Sequence, residues 1–252
     1  MIQALLFDMG GTLHTVTPSP ERNLAFAARL ISRLSDYGIA LDATPDELST
    51  LLTENAATYK HHSLTTGMEL SNVRIWNEFY LRQFHIGEER LAPISEELSF
   101  LYDYDRVTLM RRPHLKEVMQ ELHGMGVRLG IISNIISTSF VPHMLREYGI
   151  SDLMECTVMS SEAGYRKPDA RIFEIAMDRM GVTREQTGYV GDMVSRDVLG
   201  AHNAGLALNI QIRFDRLAAH DARYAGENPI KPDYFIEELD ELPGIIRSVN
   251  GR

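Results

Sequence analysis

Short apolar segments recur along the chain and alternate with longer amphipathic segments. The apolar segments are residues 2–7, 127–132, 156–159, 187–190, 207–212 and 234–236. Segments this short and this apolar are typical of strands that are covered on both faces of a parallel sheet. The amphipathic segments carry apolar residues at helical spacing and are residues 115–122, 140–148, 170–180 and 195–204. The alternation predicts an α/β fold with a doubly wound, Rossmann-like parallel sheet.

One long segment departs from this alternation. Between residues 18 and 112 the pattern predicts helices only, at 21–37, 45–59, 72–84 and 94–102. We therefore expect an α/β hydrolase core of residues 1–17 and 113–252 and a small all-helical cap domain of residues 18–112. The insertion begins a few residues after the first strand, at the sheet edge where ligands bind in such folds. A helical segment placed there is expected to act as a lid.

Charge and composition narrow the function classes. The chain has 25 Lys and Arg against 35 Asp and Glu, a net charge of −10, which argues against nucleic-acid binding through a basic face. No apolar stretch approaches the ~20 residues of a membrane span, and the N-terminus lacks the positive region of a secretory signal. A cytoplasmic protein with no membrane partner is expected. The sequence does not predict the oligomeric state. Cys156 is the only cysteine and is expected to be a buried apolar residue.

Polar residues follow three of the predicted strands at the point where each strand ends. Carboxyl ends of parallel strands share one sheet edge, so we expect these residues to lie together. Carboxylates there suit Mg²⁺, and a hydroxyl with backbone N–H groups at a helix entrance favours an anion. A lysine before a helix can neutralise a phosphoryl oxygen or a nucleophile. The residues are Asp8 before Gly10-Gly11-Thr12, then Ser133-Asn134, Lys167, Asp192 and Asp197.

Taken together, these motifs resemble the haloacid dehalogenase superfamily of hydrolases. The order is Asp-x-x-Gly-Thr from Asp8, Ser133-Asn134, Lys167-Pro168-Asp169, and Gly-Asp-x-x-x-x-Asp from Gly191 to Asp197. The match covers residues 1–15 and 113–212, and the insert between them looks like the helical cap of that family. The resemblance implies a Mg²⁺-dependent hydrolase that acts on a small phosphorylated metabolite.

The resemblance also implies a role for each matching residue. Asp8 would attack phosphorus in line and form an aspartyl-phosphate. Mg²⁺ would be bound by Asp8, the backbone carbonyl of Gly10 and Asp192, with Asp197 helping through water or Lys167. The phosphoryl oxygens would be held by Ser133, by groups at Asn134 and by Lys167, with Thr12 in the same substrate-binding set.

One position departs from the family's phosphatases, which carry a second Asp two residues after the nucleophile. Gly10 stands there in this chain. That Asp protonates the leaving oxygen and then activates water, and a positioned acid–base group contributes ~10²–10⁴ in rate. We therefore expect weakened turnover of ordinary alkyl phosphates.

Three explanations account for a glycine in place of the acid–base Asp at position 10. His14, His61, His62 or Lys60 could replace the missing group. Alternatively, the chemistry is cleavage of a carbon–phosphorus bond, with Lys60, the only lysine of the insert, as the Schiff base. Dehalogenation is less expected, because it uses no metal and would leave the second pair of carboxylates idle. The third explanation is a binding or regulatory relative that has lost turnover.

Overall fold

A computed structural model describes residues 1–217 and 230–251, and six parallel strands of these residues form the central sheet. The strands are β1 (Ala4–Phe7), β4 (Arg128–Ser133), β5 (Met154–Met159), β6 (Thr187–Gly191), β7 (Leu208–Ile212) and β8 (Tyr234–Ile236). They lie in the order β5-β4-β1-β6-β7-β8. All six apolar segments of the sequence are therefore strands, and the predicted α/β fold class is confirmed.

Helices cover both faces of this sheet, because successive side chains of a strand point to opposite faces. Leu5 and Phe7 of β1 join an apolar cluster with helices on one face, whereas Ala4 and Leu6 join a second cluster on the other face. The first face is covered by α6 (Leu115–Gly124), α7 (Phe140–Glu147) and α11 (Leu242–Val249). The second is covered by α9 (Ala170–Met180) and α10 (Leu199–Asn203), and the short α8 (Ser160–Ala163) follows β5.

We refer to residues 18–112 as the helical insert. Its elements are α1 (Pro20–Asp36), α2 (Pro45–Thr66), α3 (Asn72–Ile75), a π-helical turn (Trp76–Tyr80), a 3₁₀ turn (Arg82–Phe84), α4 (Glu88–Leu91) and α5 (Ser95–Tyr104). Thr44 and Glu47 form a capping box at the start of α2, which ends at the left-handed Gly67. The insert buries an apolar cluster of its own around Trp76, whose indole N–H donates to the hydroxyl of Ser99 at 2.9 Å.

The prediction that residues 18–112 contain helices only was wrong at one place. Strand β3 (Val107–Arg111) pairs with β2 (His14–Pro18) in an antiparallel ribbon that joins the insert to the core. Both strands are half-exposed, so they lack the continuous apolar run that revealed the strands of the central sheet.

Two carboxylates of the insert attach it to the core. Glu96 on α5 accepts hydrogen bonds from the backbone N–H groups of Thr138 and Ser139, both at 3.0 Å, in the loop after β4. Glu69 is buried, pairs with Arg166 and accepts from the hydroxyl of Ser160 at 2.6 Å. The loop after β4 and the segment before α9 are therefore both in contact with the insert.

Cys156 is a buried, free cysteine on β5, as expected, and burial raises the pKa of its thiol. Within the described ranges, no helix has both the length and the apolar character needed to cross a membrane.

Candidate active site

The sheet order places three polar residues side by side, because β1 lies between β4 and β6. Asp8 follows β1, Ser133 ends β4, and Asp192 follows β6. The backbone N–H of Asp8 donates to the carbonyl of Val190 at 2.9 Å, which extends the sheet pairing by one residue. The structure thus brings together the strand-end residues that the sequence analysis selected.

The turn after Asp8 approaches Asp192 so closely that position 11 has room only for glycine. Gly11 has φ +94°, and a Cβ there would lie 2.0 Å from Oδ2 of Asp192. L-residues with side chains rarely adopt this φ. The glycine therefore lets the β1 turn and the carboxylate of the neighbouring strand share one small space.

Lys167 ties the carboxylates of the site together. Its Nζ lies 2.6 Å from Oδ1 of Asp8, 2.7 Å from Oδ1 of Asp197, 2.6 Å from the hydroxyl of Tyr189 and 3.0 Å from the carbonyl of Ile132. The side chain is almost fully buried, and a buried ammonium is tolerated only with such compensation. Lys167 therefore holds Asp8 in place and balances part of its charge.

The three carboxyl groups titrate differently because their surroundings differ. Burial raises the pKa of Asp8, with Lys167 opposing, and burial raises the pKa of Asp192 still further. Burial also acts on Asp197, but the positive charges of Lys167 and Arg196 outweigh it and hold the pKa of Asp197 below its usual range. Of the three carboxyl groups, Asp192 is therefore the one whose negative charge the neighbouring cations and hydrogen-bond donors of the protein offset least.

This donor set fits a hard dication. Asp8, Asp192 and Asp197 each offer an oxygen within 4.8 Å of the others. Oδ1 of Asp192 is buried and has no hydrogen-bond partner among the described residues. Mg²⁺ prefers carboxylate oxygens of this kind together with water and substrate phosphate. A cation bound here would be the missing partner of Oδ1 of Asp192 and would lie close to the carboxylate oxygens of Asp8 and Asp197.

The predicted substrate-binding residues occupy different positions. Ser133 and Asn134 line the cavity above Asp8. The side-chain amide of Asn134 also binds the backbone of Lys167 twice. Its oxygen accepts from the N–H of Lys167 at 2.9 Å, and its nitrogen donates to the carbonyl of Lys167 at 3.0 Å. Thr12 is fully buried, does not line the cavity, and its hydroxyl has no partner within residues 1–217 and 230–251.

The cavity has a volume of about 400 Å³ and reaches from Asp8 and Asp192 to the helical insert. Two of the four candidates for the missing acid–base group, His14 and Lys60, line it. His61 and His62 do not: His61 is exposed, and His62 packs against the rings of Tyr59 and Phe79.

His14 is the candidate nearest to Gly10. A Cβ at position 10 would lie 3.9 Å from Nε2 of His14, and Nδ1 of the same ring lies 3.0 Å from the hydroxyl of Tyr148. Burial lowers the pKa of His14 to about 4, so the ring is neutral at pH 7.

Sequence reasoning missed four polar residues of the site. Tyr189 lies inside an apolar run, where a tyrosine is unremarkable, yet its hydroxyl donates to Asp197 at 2.9 Å. Arg196 stands between the two aspartates of its motif and lines the cavity, which is a signal that could have been used. Asp103 and Arg106, at the end of α5, carry no local signal. Burial raises the pKa of Asp103 to about 7.

Comparisons with known proteins indicate one family of hydrolases. A family model described as haloacid dehalogenase-like hydrolase matches residues 2–205. The glyceraldehyde 3-phosphate phosphatase of Methanopyrus kandleri is 27% identical and covers 99% of both chains. The enzyme of the same name from Methanothermobacter thermautotrophicus is 31% identical over 82% of this chain and 84% of its own.

A solved structure shares the fold over nearly all of the described chain. The 2-haloacid dehalogenase from Pseudomonas syringae pv. Tomato DC3000 superposes with a TM-score of 0.64 at 18% identity, covering 99% of this chain and 100% of the other. Identity this low supports the fold and not the reaction.

Proposed function

Because the chain belongs to the haloacid dehalogenase-like hydrolases, we propose that it is a Mg²⁺-dependent phosphatase of a small phosphorylated metabolite, with Asp8 as nucleophile. The observation that carries the proposal is the buried contact between Asp8 and Lys167 beside two further carboxylates. The relatives named as phosphatases of glyceraldehyde 3-phosphate support the substrate class.

The mechanism follows from what each group can do at its position. A carboxylate oxygen of Asp8 forms a bond to phosphorus while the bond from phosphorus to the leaving oxygen breaks. The products are an aspartyl-phosphate and an alkoxide, and the alkoxide takes a proton from solvent water to become the alcohol. Water then hydrolyses the acyl phosphate and restores the carboxylate. Asp8, Asp192 and the carbonyl of Gly10, together with Asp197, would hold Mg²⁺, which would supply the charge neutralisation that phosphoryl transfer chiefly requires.

Lys167 and Ser133 complete this site. Lys167 keeps the carboxylate of Asp8 oriented, and its positive charge offsets the charge that accumulates around phosphorus. Ser133, at the end of β4, offers its hydroxyl to a phosphoryl oxygen. Neither group replaces the proton donor that Gly10 lacks, so leaving groups that need no proton are expected to react faster than alkyl alcohols.

The test compares para-nitrophenyl phosphate and glyceraldehyde 3-phosphate as substrates with and without Mg²⁺. We expect Mg²⁺-dependent release of phosphate that Asp8→Asn abolishes. Asp152→Asn is the matched control, because Asp152 is exposed and does not line the cavity. Full activity in Asp8→Asn would exclude Asp8 as the nucleophile.

A second candidate reaction is hydrolysis of a carbon–phosphorus bond with Lys60 as Schiff base. Lys60 lines the cavity, and desolvation together with the charges of Arg196 and Arg166 lowers the pKa of its ammonium. A lowered pKa favours the neutral amine that attacks a carbonyl. Borohydride reduction in the presence of an aldehyde phosphonate should then label Lys60, and the absence of label would count against this chemistry.

We also propose that the helical insert is the cap of the site. It contributes Lys60, Asp103 and Arg106 to the cavity and contacts the core through Glu69 and Glu96. The boundaries 1–17, 18–112 and 113–252 and a cytoplasmic location stay predictions.

A further inference from the structure

Three cations of the cavity have no counter-ion in contact. Lys60 lies on α2, Arg106 follows α5, and Arg196 lies in the turn after β6. None of them takes part in an ion pair within the described part of the chain, although arginines elsewhere in the molecule commonly do. The Nε atoms of Arg106 and Arg196 are buried without a hydrogen-bond partner there.

Lys60, Arg106 and Arg196 all line the cavity above Asp8. The guanidinium of Arg106 lies over the ring of Tyr102, 4.0 Å from its centroid, which restricts its orientation. Lys60 and Arg196 line the main cavity and also a second cavity that is lined in part by α2. Desolvation and the positive charge of Arg196 lower the pKa of Lys60, as expected where cations lie close together without an anion.

Asp8 and Asp192 line the sheet side of the same cavity and act electrostatically on Arg196, whereas the insert contributes one carboxyl group beside Lys60 and Arg106. Asp103 accepts from the backbone N–H of Ser137 at 3.2 Å, and burial raises its pKa to about 7. Near neutral pH this group is therefore only partly ionised. It offsets less than one of the two positive charges that the insert contributes, Lys60 and Arg106.

The reacting phosphoryl group does not account for these cations, because Lys167, Ser133 and the dication that Asp8 and Asp192 would hold already serve it. We propose that Lys60, Arg106 and Arg196 form a subsite for a second anionic group of the substrate, a carboxylate or a second phosphate. A guanidinium held over a ring has fewer orientations to lose, and its planar fork suits the two oxygens of such a group. The inference rests on the proposed phosphatase function and narrows its substrate class, since glyceraldehyde 3-phosphate carries no second anion.

The experiment uses matched substrates that differ only in the second group. 2-Phosphoglycolate carries a carboxylate, the bisphosphate of ethane-1,2-diol carries a second phosphate, and 2-hydroxyethyl phosphate carries neither. We expect kcat/KM of the wild type to be at least about thirtyfold higher for one of the two compounds that carry a second anionic group than for 2-hydroxyethyl phosphate. The preferred one identifies the second group.

The variants Arg106→Gln and Lys60→Gln should lower that preference by roughly tenfold to a hundredfold each, since each loses a charged hydrogen bond. Arg82→Gln is the matched control: it removes a charge from an exposed residue of the same insert that does not line the cavity, and the preference should be unchanged. Lys60 is exposed on its helix, so Lys60→Gln is expected to fold even if Arg106→Gln does not.

Binding to Asp8→Asn, measured by calorimetry, separates this inference from the proposed function. Tighter binding of a compound with a second anionic group that is lost in the double variants with Arg106→Gln or Lys60→Gln supports the subsite even if no phosphate is ever released. Equal kcat/KM and equal affinity for all three compounds would overturn the subsite, while turnover that depends on Asp8 would still support the phosphatase.

Discussion

The buried ring of His14 makes a prediction about stability and pH. Its side chain is 1% exposed, and burial lowers its pKa to about 4, against about 6.5 in an unfolded chain. Between these values the unfolded chain binds a proton that the folded protein does not. The free energy of unfolding therefore rises with pH across this window: the contribution is fully present above pH 6.5 and is lost as pH falls toward 4.

The size of the effect follows from the two pKa values. Going from pH 7 to pH 4.5 should remove about 2 kcal/mol of stability through this one group. Other carboxyl groups titrate in the same range, so the wild type alone is not informative. His14→Gln keeps a polar side chain that can meet the hydroxyl of Tyr148, which lies 3.0 Å from the ring, but it does not titrate.

Urea unfolding at pH 7 and pH 4.5 measures the difference. The wild type should lose about 2 kcal/mol more than His14→Gln between the two pH values, because the other groups are common to both proteins. His123 is exposed on α6, so His123→Gln should behave as the wild type does. Equal losses in the wild type and in His14→Gln would refute the assignment of a depressed pKa to His14.

Two further predictions concern the candidate active site, at the edge of the sheet where β1 and β6 end. A Cβ at Gly10 would meet only Val16 at 3.5 Å and His14 at 3.9 Å, so Gly10→Asp should fold and raise kcat for an alkyl phosphate by ~10²–10⁴, measured as phosphate release. No gain would indicate a different reaction. Mg²⁺ at a hundred times its Kd should stabilise the wild type by about 2.7 kcal/mol in thermal unfolding, and Asp192→Asn, unlike Asp152→Asn, should abolish that stabilisation.

The central fold was predictable because its signals are local. Each strand of the sheet is a short apolar run, and the strand ends at a polar residue, so both the fold class and the grouping of Asp8, Ser133 and Asp192 followed from the pattern. The ribbon strand β3 was missed because half-exposed residues carry no such run. Arg106 was missed for a different reason: its role depends on how the insert packs over the core, which no local pattern records.

The balance of charge in the cavity links the metal site, the site of the reacting phosphate and the proposed subsite for a second anion. Asp8, Asp192 and Asp197 are opposed by two nearby cations, Lys167 and Arg196, which leaves a negative site with one orphaned oxygen. A dication reverses that sign, and a phosphate dianion then finds a positive site. Lys60 and Arg106 lie beyond it, take part in no ion pair within the described residues, and have only the partly ionised Asp103 beside them. A substrate with a single phosphate would leave their charge incompletely balanced, which is costly for Arg106 because its Nε is buried. A second anion on the substrate removes that cost, so selectivity should come from the insert, whereas reactivity comes from the sheet edge.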